Sequence, residues 1–273
     1  MINFFWLEFG ILFAAGLVGA LAVMPYGLQL MKSSKQGKPL KMSVPVFLLL
    51  SFFQSGILLA IAIGIGLLAA RAIGLGVPYV EAFVAGKEIN SAVWTVLQTA
   101  VAIGVLGGLA LLLMDLIFLP YLPELLLDTA RKISLWQNFA ASFYGGLNEE
   151  MLMRLFGLSV FAWLLSRIWH TSAGLPTDAV FWIANLVMTV LFGLGHLPVA
   201  KKLLGRITPL MFIRTLLLNS PVGFACGWLF WRYGLEAAVV AHFATDIVYH
   251  VGGTIVLRLY DRYRLVRQTR QPT

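Results

Sequence analysis

The chain has 273 residues, of which 60% are hydrophobic and 12% charged, against about 25% charged in soluble globular chains. That excludes an ordinary soluble domain, and it excludes disorder, which needs few apolar residues and dense charge. The net charge of +8 lies mostly between and after long apolar runs, so it reads as a topology signal and not as a nucleic-acid footprint.

A transmembrane helix needs about 20 mostly apolar residues. On that rule the spans fall near 4–30, 44–70, 92–119, 134–166, 178–197, 210–231 and 235–258. Within the first, Ala20-Leu21-Ala22 resembles a cleavage motif, but no Lys or Arg precedes the stretch to form the basic n-region of a signal peptide, so a retained span is expected. The fourth is too long for one straight crossing, and Gly145-Gly146 is the expected hinge unless its first turns lie in the interface. The sixth holds Asn219-Ser220-Pro221, an expected break into a half-helix and a shorter span. The count is therefore seven or eight, in an all-α polytopic bundle with an intramembrane polar cavity. Three parts are expected: N-terminal helices and loops (1–133), a core carrying the chemistry (134–259) and a basic tail (260–273). The single cysteine, Cys226, offers neither an internal disulfide nor a cysteine-based metal site.

Basic residues are unevenly distributed between alternate loops. Lys32, Lys35, Lys38, Lys41, Arg131, Lys132, Lys201, Lys202, Arg206, Arg214, Arg258, Arg262, Arg264, Arg267 and Arg270 fall on one side of a seven-span topology. Arg71, Lys87, Arg167 and Arg232 fall on the other. The positive-inside rule places the first set, and with it the C-terminus, in the cytoplasm.

Ionisable residues inside spans are costly and mark functional sites. Three groups stand out. In Asn148-Glu149-Glu150-Met151-Leu152-Met153-Arg154, Glu150 and Arg154 have the i, i+4 order of a helical ion pair, which leaves Glu149 without a local cation. A lone carboxylate in a low-dielectric setting is suited to general-base chemistry; the alternative is a structural ion-pair network. Phe192 and His196 share a helix face, as do His242 and Asp246, a pair able to stabilise an oxyanion or to hold a histidine in place. His250 lies a turn beyond Asp246, on course for the same cavity. Asp115 reads as a snorkelling or capping residue, and Gln54, Gln98, Asn185 and Asn219 as interhelical hydrogen-bonding groups.

In that order, E-E-x-x-x-R, F-x-x-x-H and H-x-x-x-D on successive apolar spans resemble the CAAX prenyl protease and bacteriocin-processing family, which includes type II CAAX endopeptidases and Abi-type proteins. The resemblance covers about 134–258, and Gly223–Glu236 resembles the small-residue span before the family's last histidine. It implies an intramembrane endopeptidase without cofactor or catalytic metal. Glu149 and His196 would activate a water. Glu150 and Arg154 would hold the first carboxylate, Phe192 would line the site, and His242 and Asp246 would stabilise the oxyanion. Prenyl endopeptidases often carry Asn where this chain has Asp246.

The implied partners are the lipid bilayer and a peptide or membrane-protein substrate, lipidated or not, with no nucleic acid. The implied location is a bacterial or archaeal plasma membrane ahead of the endoplasmic reticulum. Two other readings compete: a non-enzymatic Abi-type immunity or scaffold protein that binds a partner helix, and a proton-coupled transporter. A metalloprotease would use Glu149, His196 and His242 as ligands, although H-E-x-x-H is absent.

Overall fold

The computed structural model describes residues 2–34, 42–89 and 91–269. Lys35, Lys38, Lys41 and Arg270 of the charge count lie outside the described residues. Those residues form helices without a strand; one isolated bridge joins His170 to Pro176. The helices are α1 (Ile2–Ala22), α2 (Met24–Ser33), α3 (Val44–Ala72), α4 (Pro78–Val84), α5 (Ala92–Phe118), α6 (Glu124–Lys132), α7 (Leu135–Phe143), α8 (Ser159–Ser166), α9 (Asp178–Gly195), α10 (Leu197–Leu204), α11 (Pro209–Tyr233), α12 (Leu235–Asp246) and α13 (Gly253–Thr269).

Among the described residues, six helical stretches are long and apolar enough to cross a membrane: Phe4–Ser33, Val44–Ala72, Ala92–Tyr121, Asp178–Leu204, Pro209–Tyr233 and Leu235–Tyr263. The protein is an integral membrane helical bundle. Its outer face confirms the solvent it is built for. Phe53, Ile57, Leu106 and Ile117 are 59%, 63%, 66% and 70% exposed, a cost in water but none against lipid tails. The inner face packs Leu59, Ile63 and Leu67 of α3 against Leu155 and Leu158, with Leu229 and Phe230 of α11 in the same core.

The stretch expected at 134–166 is helical throughout 135–166, but it is not a plain α-helix. Ser134 starts it with a capping box to Gln137. Two π-helical segments, Tyr144–Glu149 and Met151–Leu158, then lie between α7 and α8. Gly145-Gly146 is therefore no hinge. A Cβ on Gly145 would run into the Asp246 carboxylate, and one on Gly146 would sit 3.1 Å from Phe243 Cβ and the Val239 carbonyl. The two glycines let α12 lie against this helix. Gly104 and Gly108 of α5 serve α12 from the other side, where a Cβ on Gly108 would lie 2.9 Å from the Thr245 carbonyl.

The expected break at Asn219-Ser220-Pro221 is also absent: α11 runs unbroken from Pro209 to Tyr233. Asn219 Nδ2 donates to the Thr215 carbonyl and Ser220 Oγ to that of Leu216, both at 2.7 Å; the carbonyl left without its helical donor by the proline is that of Leu217, to which neither side chain bonds. Asn219 thus bonds within its own helix. Asn185 does bond between helices, to the Phe224 carbonyl at 3.0 Å. Gln54 and Gln98 are exposed and make no side-chain hydrogen bond among the described residues. The sharp corner between α11 and α12 is made by Gly234 at φ +95°, a conformation that disfavours any side chain. Beyond α12 a third π segment, Ile247–Gly252, leads into α13, so the helix continues past 259 to Thr269.

Candidate active site

The π segments decide where the acids point. Glu149 ends the first one, and Glu150 stands between it and the second. A π turn takes in an extra residue, which re-aims the side chains around it. Glu150 turns into the core and is completely buried, with Arg154 1% exposed. Its Oε1 is 3.1 Å from Arg154 Nη1 and accepts from His242 Nδ1 at 2.6 Å. Arg154 in turn donates from Nη2 to the Gly223 carbonyl at 2.8 Å and lies over the Phe192 ring, 5.1 Å from its centre. One buried carboxylate thus joins the 135–166 helix to α12, while the arginine beside it holds α11 and α9. Glu150 Oε2 and Arg154 Nε have no hydrogen-bond partner among the described residues.

Glu149 has a different environment. Its side chain is 23% exposed, and its nearest charged or titratable neighbours are two imidazoles from separate helices. His196 Nε2 is 4.0 Å from Oε1, and His242 Nε2 is 3.8 Å from Oε2. Both gaps are too long for a direct hydrogen bond and suit a bridging water. Each ring is held by its other nitrogen. His196 Nδ1 donates to the Phe192 carbonyl at 2.8 Å. His242 Nδ1 faces Glu150, which as a carboxylate only accepts. Phe192 packs edge-on against both rings, 4.9 Å from His196 and 5.6 Å from His242. Asp246 Oδ1 lies 3.7 Å from His242 Nε2 and 3.8 Å from His250 Nε2.

All seven residues singled out from sequence therefore meet in one polar cluster, and His250 joins it. The convergence demands a particular helix arrangement. His196 follows the 18-residue α9, whereas His242 is the eighth residue of α12. In parallel helices starting at one depth, the two would be about 16 Å apart along the axis. Their approach to one carboxylate means that α9 and α12 are staggered or inclined to each other.

Two assignments made from sequence change. Arg214 is not a free loop cation, and Asp115 does not snorkel. They form a two-pronged ion pair across α11 and α5 at 2.7 and 2.8 Å, to which Tyr249 Oη adds a bond to Asp115 at 2.9 Å. The 99 residues between the partners hide this pair from any helical spacing rule. Cys226 also has chemical neighbours despite being the single cysteine: its Sγ, a Glu150 oxygen and a His242 nitrogen lie within 4.8 Å of one another. A thiol, a carboxylate and an imidazole are ligands that zinc accepts. In this structure the His242–Glu150 hydrogen bond occupies two of those donors, and the thiol faces the Ala238 carbonyl at 3.6 Å.

Residues 131–248 match the family model described as type II CAAX prenyl endopeptidase Rce1-like. No curated protein and no solved structure matches the chain.

Proposed function

With residues 131–248 belonging to the type II CAAX prenyl endopeptidase Rce1-like family, we propose that this protein is an intramembrane endopeptidase that cuts a peptide bond near a substrate's C-terminus or membrane anchor. The observation that carries this reading is the partly exposed Glu149 carboxylate set 3.8–4.0 Å from two imidazole nitrogens. That spacing suits a water, a base and an electrophilic partner for one carbonyl.

In this mechanism Glu149 takes a proton from a water that also donates to His196 Nε2. The hydroxide attacks the scissile carbonyl carbon. His242, carrying a proton on Nε2 as well as Nδ1, donates from Nε2 to the oxyanion, with Asp246 keeping the ring in line. As the C–N bond breaks, the amine leaves with the proton held by Glu149, and the new carboxyl group keeps the water's oxygen. Glu150 and Arg154 position His242 and the helix that carries the base. No step requires a metal or a cofactor. The substrate is a peptide or membrane protein reached through the bilayer, lipidated or not.

The test is cleavage of membrane-anchored and C-terminal peptides in proteoliposomes by the wild-type protein and by Glu149→Gln. The amide keeps the shape of the acid, so thermal unfolding should stay unchanged while the rate falls by roughly 10²–10⁴-fold. Full cleavage by Glu149→Gln would overturn the assignment. If neither protein cleaves and both hold a partner helix equally, the scaffold reading replaces it.

A further inference from the structure

A large cavity lies away from the polar cluster. About 880 Å³ in volume, it is lined by the start of α1, the end of α3 with the turn after it, α4 and its following turn, and the end of α11. Candidate spans begin or end here at Phe4, Ala72, Tyr233 and Leu235. The cavity therefore sits at one membrane boundary. His196, after α9, and Pro209, at the start of α11, belong to the opposite end of the bundle.

Its charges are unevenly satisfied. Glu8 forms an ion pair with Arg71, and Glu81 accepts the Val77 N–H. Lys87 and Arg232 have no carboxylate partner among the described residues; Arg232 lies over the Trp231 ring, 5.5 Å from its centre. Two cations without a carboxylate partner thus face the cavity against one carboxylate, Glu81, without a cation among the described residues. That leaves a net positive lining beside aromatic walls that include Phe4, Trp231 and Tyr233. A ligand that suits both features has an anionic head and an apolar body. At this depth the surrounding medium supplies one, because interfacial aromatics and basic side chains are what lipid headgroups meet.

We propose that this cavity binds the phosphate headgroup of an anionic phospholipid, with Lys87 and Arg232 on the phosphate and the aromatic wall against the upper acyl chains. The site is independent of the peptidase reading and shares no lining residue with the polar cluster.

The test uses full-length protein in nanodiscs of phosphatidylcholine, with and without phosphatidylglycerol, and native mass spectrometry of the lipid retained on release. Wild type should retain phosphatidylglycerol in preference to phosphatidylcholine. The double variant Lys87→Gln/Arg232→Gln should lose affinity by roughly 30-fold, the equivalent of ~2 kcal/mol for two basic side chains near a headgroup. Arg167→Gln, an exposed cation at the end of α8 outside the cavity, should behave as wild type. Detergent-solubilised protein with sn-glycerol 3-phosphate separates the sources: no thermal shift is expected, and a shift as large as that given by the lipid would assign the site to soluble phosphates. Equal retention of the two lipids, or equal phosphatidylglycerol on wild type and the double variant, would overturn the proposal. Thermal unfolding of the double variant in phosphatidylcholine alone, expected to match wild type, keeps a folding defect from imitating lost binding.

Discussion

Glu149 and Glu150 are neighbours in sequence but differ in their surroundings, and mutation should separate them. Glu150→Gln leaves Arg154 buried without its counter-charge and weakens the acceptor facing His242. It should cost about 3–5 kcal/mol, as breaking a buried pair does. Adding Arg154→Met should recover part of this, measured as a coupling energy in detergent thermal unfolding. Recovery should stay incomplete, because His242 keeps its weakened acceptor. Equal stability of Glu149→Gln and Glu150→Gln would refute the division. Much of this was legible in the sequence: the one-turn spacing assigns Arg154 to Glu150 and leaves Glu149 bare. Two links were not. The 92 residues between Glu150 and His242 and the 99 between Asp115 and Arg214 are spanned only by helix packing, which no local pattern encodes. Asp115→Asn, which removes one charge of a pair 24% and 15% exposed, should lower stability by less than Glu150→Gln, since partial exposure screens the charge left behind.

Helices were easier to place than their interiors. Apolar run length located the six candidate spans to within a few residues, because the bilayer fixes how long an apolar helix must be; the remaining expected span, 134–166, is not among them. Inside them, glycine and proline were misleading. Gly145-Gly146 signals helix contact and not a hinge, and Pro221 sits in an unbroken helix. Pro221→Ala should therefore leave the fold and topology intact and raise thermal stability or leave it unchanged, because it restores a backbone donor. A marked loss would mean that the ring shapes α11. At the other contact, Gly108→Ala pushes a methyl to within 2.9 Å of the Thr245 carbonyl. Overpacking of this kind costs about 1–3 kcal/mol. It should lower the unfolding temperature and, by moving α12, cleavage as well, whereas Gly10→Ala, with nothing within 4 Å of its Cβ, should do neither.

Across the whole molecule, the large cavity lies at one membrane boundary and the polar cluster within the bundle, so orientation decides which face each of them serves. On the basic-residue bias, Lys201 is expected in the cytoplasm and Lys87 outside. In a Cys226→Ala background, Lys87→Cys in intact cells should react with a membrane-impermeant thiol reagent, and Lys201→Cys should react only after permeabilisation. The reverse labelling pattern would invert the topology and move the polar cluster's opening to the outside.

The wide turns on either side of Glu150 also act as slack in the count of residues. Deleting one residue, such as Leu147, would let the segment rewind as an ordinary α-helix, a low-cost change for the backbone. The flanks would keep nearly their present orientation, because the wide turn is what absorbs the extra residue. One flank is anchored by Asn138, which bonds to Thr254, and the other by Arg154 on the Gly223 carbonyl. With both anchors kept, the change would fall on the side chains of the shortened turn, which Glu149 ends. The chain would still fold and insert as a bundle of the same outline, and any loss of chemistry would trace to the aim of one carboxylate and not to the frame around it.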